Sequence, residues 1–283
     1  MSPHYDLHCH SSASDGALEP AELVARAAAQ GVEALALTDH DTVAGLAEAR
    51  TAAAAHGIRL IPGVELSVRW QRRTFHVVGL GIDPEEPRLQ AGLARMQRVR
   101  RERGEAIGER LERAGLSGAL EGARAAAGTA EITRAHYARW LVDSGRVRGY
   151  QEAFQRYLGR GRVGYVHGDW VELEEGVAWL VGAGGIAVLA HPLGYDLTGA
   201  WLRRTLEALI AAGGEGMEVS CGSAPQPRQV EQLSGWCRRL RLFASAGSDF
   251  HAPGQQSGCE LGRIPALPAD LTPVWEAPAL QRR

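Results

Sequence analysis

Six histidines and three carboxylates are spaced along this chain so that most of them directly follow a short apolar run. His8 and His10 form His-Cys-His after Tyr5–His8, and Asp15 follows in Ser-Asp-Gly. His40 stands in Thr-Asp-His-Asp, Glu65 in Pro-Gly-Val-Glu and His76 at the start of Phe75–Leu80. His191 stands in Leu-Ala-His-Pro, and Asp249 and His251 in Gly-Ser-Asp-Phe-His. On extended backbone, residues i and i+2 point to one face, so His8 and His10 can meet one ion while Cys9 points away. Imidazoles and carboxylates without thiolate suit Zn, Mn or Fe better than Ca or Mg. Any one of these histidines could be a core residue. Nine polar groups repeatedly placed after apolar strands are harder to explain as structure, because buried polar groups need partners. Asp39 and Asp41, flanking His40, are expected to orient ligands or cap the next helix, and His4 and His56 to be surface residues.

The elements that must position these groups are strands and helices in alternation. Seven apolar runs read as strands: Tyr5–His8, Ala34–Thr38, Ile58–Ile61, Phe75–Leu80, Ile186–Ala190, Met217–Ser220 and Leu242–Ala246. Helical patterns cover Pro20–Gln30, Val43–His56, Leu173–Val181 and Ala200–Ala212. The alternation argues for an α/β barrel or a doubly wound sheet. In a barrel the C-terminal strand ends converge on one rim, which would bring the nine residues into one cleft with room for three metals. About a hundred residues separate Leu80 from Ile186, far more than an ordinary crossover. That stretch reads as helices Leu89–Ala114, Arg134–Ser144 and Tyr150–Leu158, an inserted cap. The expected division is 1–85 for the first part of the barrel, 86–165 for the cap and 166–283 for the rest of the barrel and a tail. The Pro-rich tail after Gly262 is expected to wrap the surface.

Composition removes several chemistries. The chain has no Lys, so neither a P-loop lysine nor a Schiff-base lysine exists. It has no Asn, which excludes a metallophosphoesterase built on an Asn ligand. The net charge of −2 says nothing about a nucleic-acid partner, but residues 95–162 carry 15 Arg against 8 Asp and Glu. The N-terminus lacks the basic and apolar segments of a signal peptide, and no apolar run reaches membrane-spanning length. Four scattered cysteines with no CxxC fit a reduced, cytoplasmic protein.

Taken together, His8-x-His10 with Asp15, Thr38-Asp39-His40-Asp41, Gly63-Val64-Glu65, His76, Ala190-His191-Pro192 and Gly247-Ser248-Asp249-x-His251 resemble the motifs of the polymerase and histidinol phosphatase (PHP) superfamily. The resemblance runs from Tyr5 to about His251 and implies a distorted (β/α)7 barrel, interrupted here by a mainly helical cap, around a trinuclear site. It implies His8, His10, Glu65 and Asp249 on a first metal, Asp15, His40 and His251 on a second, and Glu65, His76 and His191 on a third. Two or three divalent ions are expected, Mn first, with Zn or Fe as alternatives. The implied nucleophile is a metal-bound hydroxide, with no single protein nucleophile.

Ile132-Thr133-Arg134-Ala135-His136, Ala153-Phe154-x-x-Tyr157-Leu158 and Gly164-Tyr165-Val166-His167 are similar to the small nucleotide phosphoesterases of that superfamily. The activity this implies is release of the 3′-phosphate from nucleoside 3′,5′-bisphosphates, the partner being a small nucleotide. Arg pairs bidentately with phosphate, so Arg134, Arg148 and Arg101 or Arg103, assisted by His167, are the candidates for holding a second, non-reacting phosphate. The same geometry suits 5′-to-3′ trimming of a short 5′-phosphorylated RNA, with Tyr137, Trp140, Tyr150 and Tyr165 available for stacking. The arginine-rich cap argues against histidinol phosphatase, whose cationic substrate wants acidic neighbours. The complete ligand set argues against a non-catalytic PHP module.

Overall fold

A computed structural model of the chain describes residues 4–222, 226–254 and 259–281. The first elements are β1 (Tyr5–Asp6), α1 (Pro20–Ala29), β2 (Ala34–Leu37), α2 (Leu46–His56), β3 (Arg59–Trp70) and β4 (Arg73–Leu80). Helices α3 (Pro87–Arg113), α4 (Ala119–Ala127), α5 (Arg134–Asp143) and α6 (Tyr150–Ala153) follow, the last continuing as a π-helical turn, Phe154–Leu158. The chain then runs through β5 (Val171–Glu172), α7 (Leu173–Gly182), β6 (Ile186–Leu189), α8 (Gly199–Ala211), β7 (Gly216–Cys221), α9 (Pro227–Leu240) and β8 (Phe243–Gly247). The strands lie in the order β1-β2-β3-β4-β6-β7-β8, with β5 beside β3 and off the main path. The sheet curls until β8 meets β1: Leu7 N–H donates to Ala246 O at 3.1 Å, and Cys9 bridges Phe250. The result is a nearly closed seven-stranded barrel in a mixed α/β fold.

All seven expected strands form, with two corrections. First, β3 does not stop at Ile61 but runs on to Trp70, so Glu65 lies inside a strand rather than after one. Second, β4 is antiparallel to both neighbours. Only Gln71 and Arg72 separate β3 from β4, both at positive φ (50° and 61°). A parallel crossover needs a dozen residues or more, whereas a two-residue turn of this backbone hand makes a hairpin.

Strand periodicity then decides what faces inward. Ile61, Gly63 and Glu65 on β3, and Leu80, Val78 and His76 on β4, alternate with residues of the opposite face. Ile61, Val78 and Leu80 belong to the apolar barrel interior with Leu7, Ala34, Ala36, Ile186 and Val188. Glu65 and His76 continue the same two rows at the rim. The other faces, Val64, Leu66, Val68, Phe75 and Val77, pack outward against Leu89, Leu93 and Met96 of α3 and Val177 and Leu180 of α7. The tail does more than wrap the surface, which corrects the sequence expectation. Val274, Ala277 and Leu280 are buried in the barrel interior, and Arg59 donates to Leu280 O.

The long insertion is helical as expected, with one helix, α4, that the sequence pattern did not single out. Its 27-residue α3 is about 40 Å long at 1.5 Å per residue. The N-terminal half packs on the barrel wall, while Ile107 and Leu111 join a separate cluster with Ala119, Ala123, Ile132, Tyr137, Leu141 and Leu158. Gly104 and Gly108 allow that junction: a Cβ on Gly108 would stand 2.6 Å from the Tyr137 hydroxyl oxygen, and this hydroxyl donates to Gly104 O at 2.8 Å. Among the described residues no helix is long and apolar enough to cross a membrane.

Candidate metal centre

All nine residues singled out from the sequence meet at one rim of the barrel. β1 is so short that His8 and His10 sit on the loop beyond it, and buried Asp6 fixes that loop against the one after β8. The Asp6 carboxylate accepts from Ser248 N at 2.8 Å and Gly262 N at 2.9 Å. Asp39 fixes the next turn of the same loop, accepting from Ser11 N (2.8 Å), Ser11 Oγ and Ser14 Oγ (both 2.6 Å). Asp249 and His191 adopt positive φ (52° and 27°), conformations of the kind held at functional sites by their surroundings.

Glu65 is the hub. Its Oε1 lies 2.8 Å from His191 Nε2, 2.9 Å from His76 Nδ1 and 3.4 Å from His8 Nε2. Its Oε2 lies 2.7 Å from His40 Nδ1 and 3.4 Å from His10 Nε2. Asp249 Oδ1 lies 3.5 Å from His8 Nε2 and 3.3 Å from His10 Nε2. Asp15 Oδ1 lies 3.4 Å from His251 Nε2 and 3.8 Å from His40 Nε2. Among the described residues four overlapping groups place their donor atoms within ion-sharing distance: His10, Asp15, His40 and His251; His8, His10 and Asp249; His40, Glu65 and His76; and, behind His8, His8 with Glu218 and Cys221.

Hydrogen bonding on the far side of two rings sets which nitrogen faces the centre. His8 donates from Nδ1 to Glu218 at 2.7 Å, and His251 donates from Nδ1 to Asp249 O at 2.9 Å. Each therefore presents the lone pair of Nε2, the arrangement usual behind a metal-bound imidazole. His8 Nε2 and His10 Nε2 are 3.1 Å apart, and His76 Nδ1 and His191 Nε2 are 3.3 Å apart. Two nitrogen lone pairs at that distance repel unless a proton or cation lies between them. His10 Nδ1, Asp15 Oδ1, His40 Nδ1 and Glu65 Oε2 are buried without hydrogen-bond partners. The 2.7 Å approach of His40 to Glu65 has the distance of a hydrogen bond but not its angles. Unpartnered buried oxygens and crowded imidazole nitrogens are the donor set that divalent Mn, Zn or Fe takes, so these residues fit the group.

Electrostatics agree. Burial would raise the Glu65 carboxyl, but the surrounding imidazoles, His76 first, hold it well below the carboxylate range. Asp15 is likewise held well below its ordinary value, burial being outweighed by His40 and His251. Burial and the neighbours His251 and His40 push His10 down to about 3. Burial of His251 is outweighed by Asp15, which lifts it to about 9. Protons and metal would compete for these nitrogens.

Asp15, His40, His76 and His251 of this cluster line a cleft of about 780 Å³, within the range of small-molecule sites. Arg100, Arg103 and Arg134 line it together with Asp15, His40, His76 and His251, and with Tyr150, Phe154, Tyr165, His167 and Trp170. Arg103 donates to Val166 O at 2.9 Å and lies over Trp170; Arg134 lies over Phe154. Burial, then Arg134 and Arg100, bring Arg103 down to about 9, and burial also lowers Arg134. Among the described residues neither has a carboxylate within salt-bridge distance. Guanidiniums crowded together on a half-buried surface repel one another, and an anion between them would relieve that repulsion.

A profile of the PHP domain matches residues 6–158. The chain belongs to the PHP domain family. It is 48% identical over 271 residues to a 3′,5′-nucleoside bisphosphate phosphatase of Chromobacterium violaceum, covering 95% of this chain and 94% of that one. It is 47% identical over 277 residues to a 5′-3′ exoribonuclease of Haemophilus influenzae, covering 98% and 99%. A Chromobacterium violaceum structure described as an amidohydrolase, with bound sulfate and no metal, superposes with a TM-score of 0.92 at 47% identity, over 96% of this chain and 94% of that one. A candidate metal-dependent phosphoesterase of Bifidobacterium adolescentis superposes at 0.81 with 28% identity, over 96% and 93%.

Of the cap residues expected to hold phosphate in this PHP chain, Arg103, Arg134 and His167 line the cleft and two do not. Arg101 is turned away, its side chain 58% exposed and paired with Glu131 at 2.5 Å. Successive helical residues are rotated by about 100°, so Arg100 and Arg103 share a face that Arg101 leaves. Arg148 is 97% exposed, with Glu152 3.6 Å away. Val147 before it is buried in the cap core and Tyr150 after it lines the cleft, while Arg148 itself points to solvent.

Arg100, Glu218 and Thr133 were not singled out from the sequence. Arg100 donates to Asp41 Oδ2 at 2.6 Å and to Ser67 Oγ at 3.0 Å, while Asp41 Oδ1 accepts from Ser67 N at 2.6 Å. Asp41 thus ties α3 to β3 rather than capping a helix. Removing one partner of a buried pair strands the other, so Asp41→Leu should cost roughly 3–5 kcal/mol in a urea melt. An unchanged midpoint would show that the pair adds nothing. Thr133 caps α5 and donates to Asp15 Oδ2 at 3.0 Å, joining the cap to a ligand. Glu218, buried on β7, also accepts from His191 N at 2.6 Å. Its signal was a carboxylate inside an otherwise apolar strand. Glu218→Gln should lower metal affinity or turnover about 10- to 100-fold by freeing the His8 tautomer. Titration of the purified protein with Mn²⁺ checks this, and wild-type affinity and turnover would assign Glu218 to packing alone.

Proposed function

We propose that this PHP chain is a hydrolase that releases the 3′-phosphate of nucleoside 3′,5′-bisphosphates, leaving the nucleoside 5′-monophosphate. The observation that carries this reading is a single cleft lined both by Asp15, His40, His76 and His251, at the edge of the cluster of metal-type donors, and by Arg100, Arg103 and Arg134. His8, His10, Asp15, His40, Glu65, His76, His191, Asp249 and His251 would hold two or three divalent ions, Mn first. Bound there, the ions would acidify a water and offset charge on the phosphoryl oxygens. The chain's own residues supply the rest. Arg134 and Arg103 grip the 5′-phosphate, positioning the 3′-ester at the metal-type donors. Trp170 and the cap aromatics exclude water from the sugar and base. The relative from Chromobacterium violaceum bears the name of this activity. Cys9, Cys221, Cys237 and Cys259 are all free thiols, which supports a reducing, cytoplasmic setting.

A second reading, 5′-to-3′ trimming of short RNA, uses the same wall of guanidiniums to hold a terminal 5′-phosphate, and the Haemophilus influenzae relative carries that name. The test compares adenosine 3′,5′-bisphosphate with a 5′-phosphorylated short RNA in Mn²⁺. Fast phosphate release with slow trimming supports the phosphatase. Equal or faster trimming makes the exonuclease the main activity, and inactivity on both overturns the substrate class.

A further inference from the structure

A second cleft of about 330 Å³ adjoins the first, sharing Thr74, His76, Arg134, Tyr165 and His167 with it. The ligand His191 also lines it. Beyond this boundary it is lined by Arg72, Arg73 and Arg160, with Tyr195 on its floor and no Asp or Glu in its wall. Arg72 and Arg73 stand at the tip of the β3–β4 hairpin, where the tight turn projects them from the barrel.

An exposed arginine is usually only a solvated charge. Two features set these apart. Among the described residues, none of the three has a carboxylate within salt-bridge distance, although Arg69 on the same hairpin is held by Glu172 at 2.6 Å and Arg156, near Arg160, by Glu152 at 2.8 Å. The charge also runs on into aromatic faces. Arg73 lies 5.0 Å from the ring centre of Trp201, Arg204 lies 4.8 Å from the same ring, and Trp70 stands edge-on to Trp201 at 6.1 Å. Alternating guanidiniums and half-buried rings are how proteins hold single-stranded nucleic acid without reading its sequence.

We propose that Arg72, Arg73 and Arg160, with Trp201 and Arg204 beyond them, bind the 3′ continuation of a single-stranded oligonucleotide whose 5′ end occupies the first cleft. The order of the parts gives the polarity. A chain whose 5′-phosphate is held in the first cleft can only continue in the 3′ direction, and the second cleft adjoins the first through Arg134, His76 and His167 and adds His191. A chain anchored by its 5′-phosphate beside Arg134 would place its next linkages along this adjoining groove. The inference rests on the 5′-phosphate grip proposed above, and gives an oligonucleotide a binding surface of its own beyond the first cleft.

The test is fluorescence anisotropy with 3′-labelled, 5′-phosphorylated mono-, di- and tetraribonucleotides carrying nuclease-resistant phosphorothioate linkages, with Mn²⁺ present, run beside phosphate release from adenosine 3′,5′-bisphosphate. Affinity should rise with chain length in the wild type. The R72A/R160A double variant should bind the tetranucleotide about tenfold more weakly, with a salt slope smaller by about 1.4, at roughly 0.7 per lost phosphate contact on a single strand. Its kcat/KM for the bisphosphate should stay within about twofold. Affinity independent of length, or a double variant that binds the tetranucleotide as tightly as wild type, overturns the groove. A wild type that releases no phosphate, yet shows length-dependent binding that R72A/R160A abolishes, keeps the groove and sinks the phosphatase reading instead.

Discussion

Glu65→Gln is expected to lose on the order of 10³-fold or more in turnover of adenosine 3′,5′-bisphosphate, with the metal content of the purified protein falling in step. Glu65 is fully buried and its two oxygens reach five imidazoles, those of His8, His10, His40, His76 and His191. The amide keeps the shape and removes the charge. Metal chemistry of this kind contributes several kcal/mol of charge stabilisation, and each 1.36 kcal/mol is tenfold in rate. Phosphate release and elemental analysis of the same sample measure both losses, and circular dichroism confirms that the barrel is intact. Wild-type turnover with full metal content would remove Glu65 from the centre of the reaction.

Arg134→Ala is expected to lower kcat/KM for the bisphosphate by on the order of 10²-fold, from roughly 3 kcal/mol of lost charge-assisted binding. Arg134 lines both clefts, has no carboxylate partner among the described residues, and is held over Phe154. Most of the loss should fall on KM, because the phosphate it grips does not react. Arg134→Lys should recover little, since a point charge does not reproduce the planar fork. The control is p-nitrophenyl phosphate, which has no second phosphate and should be hydrolysed nearly as well by the variant. An equal fall for both substrates would give Arg134 a structural role.

That the nine His, Asp and Glu residues would meet at one rim was legible in the sequence because they follow strand ends in short, unusual groups such as His-Cys-His and Ser-Asp-Phe-His. Seven strands were legible for the same reason, as apolar runs closed by turn residues. The reversal of β4 was not. A two-residue Gln-Arg turn carries none of the Gly or Asn that normally announces positive φ, so β3 and β4 read as two separate short strands. Glu218 escaped because a lone carboxylate in a strand shows its partner only when the barrel closes and brings His8 beside it. Arg100 and Arg101 are neighbours in sequence, and only the rotation of α3 against the barrel separates the one facing Asp41 from the one facing Glu131. Composition located the arginine-rich segment, and helical phase chose among its members.

The unbroken course of α3 has a consequence for what can serve as a substrate. One continuous helix leaves the barrel wall and enters the cap, with Arg100 and Arg103 on its length and the Thr133–Asp15 bond beside it. No break in its helical hydrogen bonding separates the two halves. The spacing between Arg100 and Arg103 on this helix and the His and Asp cluster at the barrel rim is therefore set by one element, so a molecule with two phosphates one nucleoside apart would be measured against a single rod.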